Sequence, residues 1–133
     1  MKFEVMSEEN TAIVDALVDG VRQYNAGLLG PEKSVPLTVI ARDETGKLIG
    51  GVGGLSIKNF LINVVWVDDQ TRGTGLGHKL MALAEAEAKQ RGCLVTQVDT
   101  LSIQAPVFYE KQGFEIIGTV TTTPQRIFLM KKY

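Results

Sequence analysis

The sequence predicts a mixed α/β domain, and three observations carry that expectation. The apolar spacing changes along the chain in the order strand, helix, three-strand meander, loop and helix, strand, helix, hairpin. A nearly continuous apolar run, Phe60 to Val67, reads as a buried central strand and feeds a glycine-bearing loop that opens onto an amphipathic helix. The chain has 133 residues, 44% of them hydrophobic and 22% charged, which fits one globular domain over residues 1–133.

Lys2 to Met6 reads as a short first strand, and Ser7 to Asn10 offers N-cap candidates. Ile13, Val14, Leu17, Val18, Val21 and Tyr24 recur at helical spacing and give one apolar face. Gly27, Gly30 and Pro31 are expected to end that helix, leaving Asn25 to Ser34 as a loop or a broken second helix. Leu37 to Arg42 is rich in branched residues and strand-like. Asp43 to Gly46 makes a turn. Lys47 to Ile57 is a second strand of the meander, with four glycines, Gly50, Gly51, Gly53 and Gly54. Glycine weakens a strand, so that density implies a bulge or another backbone close by. After a turn at Lys58 and Asn59 comes the third strand, Phe60 to Val67.

Asp68 to Gly77 is the polar, glycine-bearing loop. Leu76, Leu80, Leu83, Ala84 and Ala88 then line one helix face, with Lys79, Glu85, Lys89 and Arg91 off it. Gly92 suits the position just past the helix end. Leu94 to Asp99 is another strand. Pro106 fits the first turn of a short helix from Ala105 to Gln112, ended by Gly113. Phe114 to Thr121 and Arg126 to Lys131 close the chain as two strands joined by a turn at Thr122 to Gln125.

The bulk properties exclude several function classes. A formal net charge of -1 gives no electrostatic footprint for nucleic acid. One cysteine, Cys93, rules out an intrachain disulfide and a cysteine-based zinc site, and fits best as a small apolar filler. No metal is expected. The N-terminus lacks a basic region followed by a long apolar stretch, and no apolar run approaches the roughly 20 residues that span a bilayer, so a cytoplasmic protein without a membrane partner is expected.

The chemistry concentrates in Val64 to Gly77. The first turn of a helix carries free N–H groups and a positive dipole end, which suits phosphate. Gly73, Gly75 and Gly77 let the backbone approach a pyrophosphate, with Arg72 and Lys79 beside them. A Walker loop would need Gly-Lys-Ser/Thr, which is absent. The dinucleotide fingerprint Gly-x-Gly-x-x-Gly is not matched by Gly73-x-Gly75-x-Gly77. A glycine-rich corner without a ligand stays open at this point.

Gln70-Thr71-Arg72-Gly73-Thr74-Gly75 resembles the Gln/Arg-x-x-Gly-x-Gly/Ala signature of the GNAT acyl-CoA N-acyltransferase superfamily. Ala105-Pro106-Val107-Phe108-Tyr109-Glu110-Lys111-Gln112-Gly113-Phe114 is similar to that family's Ala-x-x-aromatic-Tyr-x-x-x-Gly-Phe segment, one helix and one strand further on. The resemblance spans the chain in element order and is specific over Val64 to Gly77 and Ser102 to Phe114. It implies a twisted, mostly antiparallel sheet of six to seven strands, splayed at the cofactor and flanked by three to four helices. It implies acetyl-CoA as co-substrate and transfer of an acetyl group to a primary amine by direct attack in a ternary complex.

Residue by residue, the resemblance places the CoA pyrophosphate on the loop, with Gln70, Arg72, Gly73, Thr74, Gly75, Leu76, Gly77 and His78. The backbone N–H of His78 is preferred to its imidazole. Val65, Trp66 and Val67 would pair with the pantetheine arm, and an N–H there would polarise the thioester carbonyl. Tyr109 would be the general acid toward the departing thiolate, or else an amphipathic core residue behind Phe108. Ser102 stands where the family often has a cofactor-contacting Asn. An alkylamine, with a pKa of roughly 10, must shed a proton before attack. Asp68 and Asp99, both placed at strand ends, are the nearest carboxylates, and neither is assigned as base. Tyr24, Asn25 and Leu28, with Trp66, are candidates for the acceptor pocket. The acceptor is a small-molecule or peptide amine of unspecified identity. Small family members often dimerise, so a homodimer is left open. A GNAT-like module that binds CoA or a nucleotide with weak or no turnover is the alternative, and a nucleotide-dependent oxidoreductase the third.

Overall fold

A computed structural model describes residues 1–29 and 33–133. The chain divides into two compact units, Met1–Lys33 and Ser34–Tyr133.

In the first unit, α1 runs over Thr11–Leu29. Asn10 caps it: its Oδ1 accepts from the Ile13 N–H at 3.1 Å, and its carbonyl from the Val14 N–H at 3.1 Å. The strand expected at Lys2 to Met6 is not formed. Five alternating residues have no stability without a partner ladder, and the sheet does not include them. Gly27 lies inside α1 rather than ending it. One glycine costs a helix only about 1 kcal/mol against alanine, too little to stop it. Gly30 and Pro31 lie outside the described residues.

The second unit holds a six-stranded sheet in the order β1-β2-β3-β4-β6-β5. Its strands are β1 Val35–Arg42, β2 Leu48–Ile57, β3 Asn59–Val67, β4 Val95–Leu101, β5 Glu115–Val120 and β6 Arg126–Lys132. Every pairing is antiparallel except β3 with β4. That one junction is a crossover through α2, Leu76–Gln90, since parallel neighbours cannot be joined by a tight turn. A short α3, Pro106–Lys111, begins on Pro106, whose missing N–H costs nothing in a first turn. This is the mixed, mostly antiparallel α/β fold that the sequence predicts. No described helix is long and apolar enough to cross a membrane.

Register fixes which face is buried. Val52 stands opposite both Val39 and Val65, and Phe60 opposite Thr96, so these residues share a face. Against it α2 lays Leu80, Met81, Ala84 and Ala88. Leu83, expected in this stripe, is 46% exposed, and Met81 takes the buried place. The helix sits over its 80/81/84/88 ridge, which turns Leu83 to the flank. Polar groups in this layer are matched. Ser56 Oγ donates to the Val35 carbonyl at 3.0 Å, and Arg91 at the end of α2 reaches Ser56 Oγ at 3.1 Å and the Pro36 carbonyl at 2.9 Å.

Glu85 on α2 pairs with Lys131 of β6 at 2.7 Å and Lys89 at 3.3 Å. Burial alone would raise its carboxyl pKa, but the hydrogen bonds from Lys131 and Lys89 outweigh burial and hold it below the usual glutamate value. A depressed folded pKa adds stability above the unfolded carboxylate pKa and loses it as pH falls through the folded value. Glu85→Gln is therefore expected to cost about 1 kcal/mol near neutral pH, with wild type and variant converging in acid. Thermal melts across pH check this.

Candidate active site

Two features of the sheet open a cleft. The first is a bulge. Gly53 pairs with Val64 but Gly54 with Ile62, so Asn63 is an extra residue on β3. The bulge presses Leu61 and Ile62 against β2. A Cβ on Gly54 would overlap the Leu61 carbonyl oxygen and stand 2.9 Å from the Ile62 Cα, so only glycine fits there. The second feature is a short ladder. β3 and β4 pair only at Phe60↔Thr96 and Leu61↔Gln97. Beyond Leu61 the strands part, and from Ile62 to Val67 the edge of β3 away from β2 has no strand partner and faces the gap.

The gap runs to the start of α2. After a single 3-10 turn at Asp69–Thr71, Gly73 and Gly75 take φ of 78° and 85°, left-handed values that suit glycine. Gly75 is the N-cap of α2 and provides no side-chain cap, and the first helical bond is from the Lys79 N–H to the Gly75 carbonyl. The N–H groups of Leu76, Gly77 and His78 are thus free to receive an anion. Around them the loop is tied down by its own side chains. Arg72 Nε donates to the Val67 carbonyl at 3.3 Å, and its Nη1 pairs with Asp69 at 3.0 Å. Thr74 Oγ1 donates to the Thr71 carbonyl.

The resulting cleft encloses about 1080 Å³, at the upper end of the roughly 300–1,000 Å³ usual for ligand sites. Of the residues expected at the site, Val65, Trp66, Val67, Arg72, Gly73, Gly75, Leu76, Gly77, His78 and Tyr109 line it together. Gln70, Thr74 and Ser102 are not among the lining residues. Ser102 Oγ instead accepts from the Gln125 N–H at 3.1 Å, while its neighbours Ile103, Gln104 and Ala105 face the gap. Asp68 sits at the end of β3, 3.8 Å from Lys47 and away from the cleft. Asp99 is inside β4, not at its end, because pairing with β6 continues to Leu101↔Arg126, and it lines the cleft.

An aromatic relay positions Tyr109. Phe108 lies 5.4 Å from the His78 ring and 5.2 Å from the Tyr109 ring, which lies 5.7 Å from Phe114. Gly77 lets α2 approach this relay, since a Cβ there would stand 3.0 Å from the Phe108 ring. Gln112 hydrogen-bonds His78 Nδ1 and ties α3 to the first turn of α2. Tyr109 is 7% exposed, in the core, yet reaches the cleft. Its ring therefore packs as a core residue while its other end meets the gap. Burial pushes its phenol pKa up, and the Asp99 charge adds to that, so the hydroxyl keeps its proton well into the alkaline range.

Sequence reasoning missed Asn63 as a lining residue; it named Asp99 as a nearby carboxylate but at a strand end, and Phe108 as the neighbour of Tyr109. Asn63 carried a readable signal, being the one polar residue inside the apolar run Phe60 to Val67.

Comparison with known proteins places this architecture. Residues 36–116 match the family model described as an acetyltransferase (GNAT) domain. The chain is 33% identical over 121 residues to an acetyltransferase of Agrobacterium fabrum, covering 90% of this chain and 88% of that one. It is 39% identical over 97 residues to the blasticidin-S acetyltransferase of Streptomyces morookaense, covering 69% and 71%. The crystal structure of an acetyltransferase from Agrobacterium tumefaciens superposes with a TM-score of 0.89 at 28% identity over 100% of both chains.

Proposed function

This chain belongs to the GNAT acetyltransferase family, and from that premise we propose that it moves the acetyl group of acetyl-CoA to a primary amine by direct attack, with both substrates held in the gap between β3 and β4. It is an acyl-CoA-dependent N-acyltransferase. The observation that carries the mechanistic reading is the end of the β3–β4 ladder at Leu61↔Gln97, beside a helix whose first N–H groups have no cap.

The residues fit acetyl-CoA. Free N–H groups of Leu76, Gly77 and His78, with Arg72 beside them, suit a pyrophosphate. The open main chain of Val65 to Val67 offers donors and acceptors to a pantetheine arm, which carries amides of its own. An N–H on this edge would also stabilise negative charge on the thioester oxygen. Tyr109 is the proposed acid. Its protonated phenol donates to the sulfur as the C–S bond breaks and the C–N bond forms, and the proton lost by the attacking nitrogen restores it. Thr74 and Ser102 are left to support the loop and the β4–β6 connection, the roles their hydrogen bonds suggest, and Gln70 is left without a ligand role. In this reading residues 1–133 act as one catalytic domain, and blasticidin S, named for the Streptomyces relative, heads the acceptor panel.

Acetyl-CoA at about 100 times its Kd is expected to add about 2.7 kcal/mol of stability and raise Tm by roughly 10 °C. Free-thiol release against a panel of amines, blasticidin S included, tests transfer. Absence of the thermal shift would refute the reading at its base.

A further inference from the structure

Resting on the acyl-transfer reading above, we infer that Asp99 and Trp66 form an ammonium subsite for the acceptor on the sheet face opposite α2, which selects aliphatic amines that are cationic at neutral pH over amines that are not, such as arylamines. The face follows from register. Leu61 pairs with Gln97 and with Leu55, and Gly51 with Trp66. Gly51 and Leu55 share a face of β2, and Gln97 and Asp99 share a face of β4. Asp99, Trp66 and Leu61 therefore look out on one side, while Phe60, Ile62 and Val52 look toward α2.

The charge in the cleft is divided along the same line. Arg72 stands at the loop end, near the free N–H groups of α2, and suits an anion. Asp99 is the carboxylate among the described lining residues. Arg126 binds Asp99 Oδ2 and fixes the side chain, while Oδ1 takes no hydrogen bond among the described residues. The open oxygen is a ready acceptor for an N–H, and its side chain is 33% exposed. Trp66, 44% exposed across the gap, adds an indole face, the best aromatic partner for a cation. Asp99 and Tyr109 line the same cleft, which puts the subsite in reach of the proposed acid.

Trp66 is the one tryptophan of the chain, so it reports on its own site. Its fluorescence, titrated with 1,5-diaminopentane in the presence of CoA at fixed ionic strength, is expected to saturate. Asp99→Asn and Asp99→Ser are expected to weaken the affinity about tenfold or more, Asp68→Asn to leave it unchanged, and 1-pentanol to give no saturable response. Both Asp99 variants should keep the acetyl-CoA thermal shift, which separates this result from failure of the acyl-transfer reading. No saturable response in the wild type, unchanged affinity in both Asp99 variants, or an equal response to 1-pentanol would overturn the subsite.

Discussion

Tyr109→Phe is expected to lower kcat for amine acetylation by about 10²- to 10⁴-fold, the usual worth of a positioned acid, with little change in acetyl-CoA affinity. The variant keeps the ring and its packing against Phe108 and Phe114, so the fold is retained and only the hydroxyl is lost. The hydroxyl sits in a buried setting that raises its pKa, first through desolvation and then through Asp99. The sign matters. A raised phenol pKa keeps the acid loaded, so the wild type should stay active as pH climbs and the free amine fraction grows. It should decline only above the ordinary tyrosine range of about 10. Free-thiol release as a function of pH, wild type against variant, checks both points. A Tyr109→Phe protein with wild-type turnover would remove the acid from the scheme.

Gly54→Ala is expected to destabilise the chain by about 3 kcal/mol, a Tm loss of roughly 10 °C, and to abolish acetyl-CoA binding. The added methyl meets main chain, the Leu61 carbonyl and Ile62 Cα, not the end of a flexible side chain that could turn away. Relief requires the β3 backbone to move off β2, which removes the bulge at Asn63. A one-residue change of register swaps the faces of Val64 to Val67, sending Val65 and Val67 out and Trp66 in. Urea unfolding measures the first loss, and the acetyl-CoA thermal shift on the residual folded protein measures the second. Gly53→Ala provides the comparison, since its Cβ would meet only side chains, the nearest being Val64 at 3.4 Å.

What was legible in the sequence was what is local. The strand, glycine turn and helix of Val64 to Gly77 are consecutive, and their chemistry follows from backbone geometry within that stretch. Tyr109 and Phe108 were legible for the same reason, as neighbours on one helical turn. The four glycines of β2 announced a bulge or a close backbone, but not which glycine meets which residue, since that depends on β3. Asp99 was misplaced at a strand end because the length of β4 is set by its ladder with β6, about 27 residues away in sequence. The strand expected at Lys2 to Met6 failed on the other side of the same argument. Alternation proposes a strand, and a partner ladder makes one.

The open edge of β3 has a consequence for how such a chain can change over time. On the proposed docking the donor meets peptide groups and reads no side chain, so substitutions at Val65 or Val67 that keep an extended backbone are expected to leave the grip intact. In the same proposal the outward face of these strands bears residues that the donor does not touch. Descendants of this gene are therefore at liberty to trade acceptors by altering a few outward side chains while inheriting the donor socket unaltered.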